Sequence, residues 1–77
     1  MMKFEVGDIC ELRNGNLAIV ERANNNVIWG IYCCFINSPN PIPYLYNIKG
    51  QYDPHGEKHK YDIVKILSKE EHPEYYI

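Results

Sequence analysis

The feature that most constrains this chain is Asn14-Gly15, set between two short apolar runs. An Asn-Gly pair tolerates positive φ at both positions, so it reverses the backbone tightly and sends it back antiparallel. Before it, Cys10 and Leu12 alternate with Glu11 and Arg13, the period-two pattern of a half-buried strand. After it, Leu17, Ala18, Ile19 and Val20 fill the returning run from Asn16 to Arg22. The sequence therefore predicts a hairpin, entered through a Gly7-Asp8 turn.

The rest of the chain is punctuated in the same way. Asn24-Asn25-Asn26 predicts a second turn, since Asn accepts the left-handed region readily. Val27 to Ile36 is the most β-prone stretch, and Gly30 inside it predicts a bulge or a sharp bend. Its apolar residues fall on both faces, as in a central or bent strand. Asn37 to Pro43 holds three prolines and reads as a rigid loop. Tyr44 to Lys49 predicts another strand, with Tyr44, Tyr46 and Ile48 alternating against Leu45, Asn47 and Lys49. Gly50 to Lys60 is a polar loop with an Asp53-Pro54-His55-Gly56 turn. Tyr61 to Leu67 is the last strand, with Tyr61, Ile63 and Leu67 on one face and Val64 and Ile66 on the other. Ser68 is placed to cap a helical turn over Lys69 to His72, ended by Pro73. The tail then either packs down through Tyr75, Tyr76 and Ile77 or takes a partner. No window of helix length shows a 3.6-residue period. The expectation is an all-β single domain over residues 1–77: a small barrel of about five strongly bent antiparallel strands, with residues 68–77 as a short tail.

Size and charge narrow the function. A chain of 77 residues buries only about 60% of the surface it exposes when unfolded, enough for one core but not for a deep enclosed cavity as well. A formal net charge of −2 counts against general binding to nucleic acid or to an anionic membrane, which rests on many cation–phosphate contacts. No apolar run approaches the roughly 20 residues that span a bilayer. Met1 to Val6 lacks the charged-then-apolar pattern of an export signal, so a cytoplasmic location is expected. The three cysteines agree with that, because an odd count without export is no disulfide framework.

Most reactive chemistries lack their parts. Cys33 and Cys34 are neighbours, and neighbours on a strand point to opposite faces, so they cannot easily share a metal. One is expected in the core. His55 and His59 have the i, i+4 spacing of a metal pair, but Pro54 and Gly56 make that segment a loop. No metal, no cofactor, no nucleophile–base pair and no phosphate-cradling glycine loop is expected, and the chain reads as a binding protein rather than an enzyme. The candidate binding residues are aromatic and cationic. Tyr44, Tyr46 and Tyr52 flank a loop carrying Lys49, His55, Lys58, His59 and Lys60, and Trp29 is the one tryptophan. Rings beside cations can stack a base and hold a phosphate, or form a protein-contact hot spot.

Two stretches carry a resemblance. Val6-Gly7-Asp8-Ile9-Cys10-Glu11-Leu12-Arg13-Asn14-Gly15 resembles the opening hairpin of SH3-like and KOW-like barrels. Tyr46-Asn47-Ile48-Lys49-Gly50, taken with Tyr61-Asp62-Ile63-Val64-Lys65-Ile66, is similar to the C-terminal hairpin of small phage and prophage proteins. The resemblance implies an SH3-like barrel of mobile-element origin. The function it implies is that of a non-enzymatic binding protein: a counter-defence inhibitor of a host protein, or a protein that sequesters a small nucleotide, able to act as a homo-oligomer. The alternatives are a KOW-like nucleic-acid-binding barrel and an assembly module that adds a strand to a partner's sheet edge.

Overall fold

A computed structural model describes residues 2–36, 38–39 and 42–76. Five strands form one antiparallel sheet: β1 Ile9–Leu12, β2 Leu17–Ala23, β3 Ile31–Phe35, β4 Tyr44–Tyr46 and β5 Ile63–Leu67. Their spatial order is β4-β3-β2-β1-β5. Four strands therefore meander, and the fifth returns to pair with the first. The all-β expectation holds. Among the described residues no ladder joins the edge strands β4 and β5, so strand pairing does not close a ring. The two edges meet through other contacts at one end. Gly50 C=O accepts the Ile63 N–H at 2.8 Å, and the Tyr46 hydroxyl donates to Tyr61 C=O at 2.8 Å.

The first hairpin forms where the sequence places it, with a different turn. Ile9 faces Ile19, Cys10 faces Ala18 and Glu11 faces Leu17. That register leaves a three-residue loop of Arg13, Asn14 and Gly15. The Gly15 N–H reaches Leu12 C=O, and the Leu12 N–H reaches Asn16 C=O, each at 2.8 Å. Gly15 sits at φ 88°, and the Asn14 side chain accepts the Asn16 N–H. This is a turn followed by a left-handed glycine, the common three-residue hairpin, rather than a two-residue reversal.

The second correction concerns Val27 to Gly30. These β-prone residues lie in the β2–β3 connection, and the strand begins only at Ile31. The asparagines before them commit the backbone elsewhere. The Asn24 N–H bonds Gly30 C=O, and the Asn24 side chain accepts the Asn26 N–H. The Asn25 amide accepts the Phe4 N–H and donates to Phe4 C=O, imitating a strand partner. Gly30 closes the loop by close approach: a Cβ there would lie 2.3 Å from the Asn24 carbonyl oxygen. The bulge itself falls in β2, where the register shifts between Val20 and Arg22 and leaves Glu21 over. A second irregularity, where Leu12 faces Ile63 but Glu11 faces Lys65, leaves Val64 over in β5 and exposes it.

The main core cluster lies on one face, and Ile9, Cys34 and Leu67 are buried on the other. Phe4, Cys10, Leu12, Ala18, Val20, Ile31, Cys33, Tyr46 and Ile63 form the cluster. Alternation accounts for most of this set, and full burial of a Leu or Ile side chain contributes about 1.5–3 kcal/mol. Phe4 joins the core from outside any strand, held there by the Asn25 amide.

β4 and β5 are also shorter than the sequence predicts. Asn47 ends β4, because its buried side chain accepts the Lys49 and Gln51 N–H groups and so builds a turn. Tyr61 precedes β5. In the tail, Ser68 caps as expected: its hydroxyl accepts the Glu71 N–H and its carbonyl the His72 N–H. Pro73 then opens a 3-10 turn, Pro73–Tyr76, and the tail packs down. The Tyr76 hydroxyl accepts the Ile9 N–H at 2.8 Å and donates to Leu67 C=O, so it sits inside the last rung between β1 and β5. Asn37, Asn40, Pro41 and Ile77, parts of the expected proline loop and aromatic tail, lie outside the described residues. Among the described residues no helix is long and apolar enough to cross a membrane.

Candidate binding groove

The end of the sheet where β4 and β5 approach each other gathers a cluster of aromatic side chains. Phe35 stacks on Tyr44 with centroids 4.3 Å apart and meets Tyr61 edge-on at 4.9 Å. Tyr52 contacts Tyr44, Tyr61 and the His59 ring, the last at 4.7 Å. Lys60 holds its ammonium 5.2 Å from the Tyr61 ring centre. Edge-on and offset rings of this kind contribute about 0.5–1.5 kcal/mol per pair beyond the area they bury. The cluster thus positions Tyr44 and Tyr52 firmly.

A buried carboxylate holds the loop that carries these rings. Asp62 accepts the Tyr52 N–H on Oδ1 and the His59 N–H on Oδ2, both at 2.9 Å, and pairs with the Arg13 guanidinium at 3.3 Å. Burial alone would push the Asp62 carboxyl up. The two backbone donors and Arg13 outweigh it and hold the group below its ordinary 3.8. Arg13 also donates to His59 C=O, and the Tyr61 N–H donates to His59 Nδ1. With Nδ1 accepting, a neutral His59 ring carries its proton on Nε2.

Beside the cluster runs an open groove of about 500 Å³, lined by Trp29, Pro43, Tyr44, Leu45, Tyr52 and Pro54. Trp29 comes to it from the β2–β3 connection, which is tied to the turn after β4 by the Ile48 N–H bonding Ile28 C=O at 2.8 Å. Among the described residues no charged side chain lines the groove.

The structure thus brings together three of the residues picked out by sequence, Trp29, Tyr44 and Tyr52. His59 packs behind Tyr52. Tyr46 is a correction: it is a core residue with no exposed surface, its hydroxyl is bonded inward to Tyr61 C=O, and burial drives its pKa far up. The alternation that suggested Tyr46 and Tyr44 share a face is real, but that face is the core. Lys49, His55 and Lys58 are exposed and do not line the groove. Sequence reasoning missed Phe35, Tyr61 and Leu45 as site builders, and it missed Arg13 and Asp62 as the brace beneath. Leu45 was legible as the residue on the opposite face from Tyr44 and Tyr46. Nothing in the sequence pairs Arg13 with Asp62.

The cysteines take other places. Cys10 and Cys33 are core residues, and Cys34 lies on the opposite face with its thiol donating to Glu21. Burial pushes Cys10 up to about 12 and Cys33 higher still, and the hydrogen bond to Glu21 pushes Cys34 up to about 11. All three are thiols, not thiolates, at neutral pH. Among the described residues no group of three or more His, Cys, Asp or Glu side chains converges to hold a metal ion.

No protein-family model matches the chain, and no curated protein and no solved structure gives a significant match.

Proposed function

We propose that this protein is a non-enzymatic binding module that takes an uncharged, apolar segment of a protein partner in the groove between Trp29, Tyr44, Tyr52 and Leu45. One observation carries the reading: aromatic, proline and leucine side chains line an open groove, and among the described residues no charged side chain does. Recognition grooves of this composition hold their ligand by ring contacts and a few directional polar groups. Support for the non-enzymatic part comes from the thiols, which are protonated and so are poor nucleophiles.

The nucleotide-sequestering reading and the KOW-like nucleic-acid reading are weaker on the same ground. Both need cations beside the stacking rings that face the groove; Lys49, His55 and Lys58 do not line it, and Lys60 lies against Tyr61, outside the lining. A counter-defence role, suggested by the resemblance to phage proteins, would use the same groove against a host protein.

Leu45 and Val64 give a matched test, being 39% and 44% exposed on the two edge strands. With the native chain as bait in a host lysate, the captured partner is expected to disappear for Leu45→Lys and to remain for Val64→Lys, while both variants melt as the native chain does. Equal capture by both variants would overturn the groove as the binding site. Retention of a nucleotide by the native chain in native mass spectrometry, lost on Lys49→Ala with Lys58→Ala, would favour the rival reading.

A further inference from the structure

The charges of this chain are distributed unevenly. It carries eight Lys and Arg, ten Asp and Glu and three His, yet none of them falls between Ala23 and Ile48. That run builds the β2–β3 connection, β3 and β4, one flank of the sheet. A solvated edge is often protected by charge, and this flank has none. Nor is it buried. Of the eight large apolar side chains exposed among the described residues, five belong to the run: Val27, Ile28, Tyr32, Ile42 and Leu45.

The sheet register sets Tyr32 opposite Leu45 on one side and Arg22 on the other, so the three share the face away from the main core cluster. Tyr32 and Leu45 stand among three depressions that share walls. Trp29 lines both the groove and a hollow beside Val27 and Tyr32. Pro43 lines both the groove and a hollow beside Glu21, Arg22 and Tyr32. The uncharged surface is therefore continuous, with projections as well as hollows. Poor in charge and rich in Tyr and Trp, it has the composition of an interface centre. At its border the acid Glu21 and the base Arg22 line one hollow together.

Resting on the reading of the groove as a site for an uncharged protein segment, we infer that the segment is the 23–48 flank of a second copy of this chain, in a two-fold dimer. A two-fold contact pairs residues reciprocally, so the patch has to complement itself. A charge-free centre does so, because it sets no like charges against each other. An adjacent acid and base at the border do so as well, with Arg22 of each copy facing Glu21 of the other. The area suffices too. A stable interface takes about 800 Å² from each partner, about 15% of the 5292 Å² this chain exposes, and the run holds about a third of the residues. The copies meet through side chains rather than by strand addition, since β4 has only three residues and follows Pro43.

Sedimentation velocity of the purified full chain, from about 1 to about 100 µM, tests this. The native mass is expected to rise from 9.1 kDa to twice that and stop, because a two-fold contact closes at two copies. Tyr32→Lys and Leu45→Lys put a charge into the patch at exposed positions, and each is expected to raise the dimer dissociation constant about tenfold or more. Val64→Lys, on the opposite edge, is expected to leave it unchanged. Arg22→Glu and Glu21→Arg should each weaken the dimer alone, and an equimolar mixture of the two should regain it. Circular dichroism and melting check that each variant folds; if Glu21→Arg does not, the two lysine variants decide. Folded chains that fail to regain the dimer on mixing overturn the two-fold arrangement. A native chain that stays at 9.1 kDa, or a dimer that both lysine variants leave intact, overturns the inference. With partner capture still lost in Leu45→Lys, either result overturns the inference alone, and the groove belongs to a different protein. With capture unchanged in Leu45→Lys, the groove reading falls as well.

Discussion

The two edges of this sheet are handled differently. β5 is a long edge with a charged residue, Lys65, in its middle and an extra residue, Val64, that disrupts its register. Its far end is pinned to β1 by the Tyr76 hydroxyl. β4 is short, uncharged and preceded by proline, and its exposed side chain is Leu45. Charge, bulges and prolines all discourage unwanted strand pairing. Only the first of these also discourages apolar ligands. An edge protected by proline and shortness stays sticky to rings and aliphatic chains while refusing strands, and the groove lies along that edge.

The largest effect is expected where the two edges meet. Gly50 sits at φ 81°, and a Cβ there would lie 2.9 Å from the Ile63 carbonyl oxygen and 2.8 Å from the end of Met2. Gly50→Ala therefore combines a disfavoured backbone conformation with a clash against backbone. Chemical denaturation should show a loss of about 3 kcal/mol or more. A loss below about 1 kcal/mol would mean that the edges are not held together at this point.

Next comes the brace under the groove. Asp62→Ala leaves the Tyr52 and His59 N–H groups and Arg13 without their acceptor, at a cost of about 2–3 kcal/mol. The effect is pH-dependent, with a fixed sign. The folded carboxyl titrates below its ordinary 3.8, so its contribution is fully present above that pH and disappears as pH falls through the folded value. The gap between native and Asp62→Ala stability should be constant near neutrality and shrink below about pH 4. A gap that widens on acidification would contradict the assignment.

A smaller effect belongs to the far end of β5. Tyr76→Phe removes the hydroxyl between Ile9 and Leu67 and should cost about 1 kcal/mol. Amide exchange at Ile9 should speed up while exchange at Cys33 stays slow. Equal acceleration at both would mean that the tail stabilises the whole sheet rather than one rung. The smallest effect on stability is expected for Leu45→Lys, within about 0.5 kcal/mol of native by thermal melting, because the side chain is exposed. That variant sharpens the comparison by giving the β4 edge the charge that β5 already carries.

How far the sequence could be read depended on the range of the interaction. The first hairpin was legible because Asn14-Gly15 and the flanking alternation act over neighbouring residues. The exact turn was not, since a three-residue loop and a two-residue loop share the same signal. Val27 to Gly30 misled because β propensity is a weak preference, and here it yields to three asparagines whose partners include Phe4, 21 residues from Asn25. Tyr44 and Tyr52 were legible as site residues only as members of a tyrosine-rich stretch. Tyr46 was indistinguishable from them until its ring was found to fill the core.

By itself, the sequence determined an all-β chain with five strand-forming runs, a thiol pair split between two faces and a surplus of aromatic rings near β4. These follow from period-two patterning, turn chemistry and composition, which are local. The tertiary structure alone decided which tyrosines are buried and which line the groove. It also decided that Arg13 and Asp62, 49 residues apart, brace the groove together, and that Lys49, Lys58 and His55 do not line it. The reason is physical: alternation says that two residues share a face, but only the packing of the remaining strands says whether that face meets water.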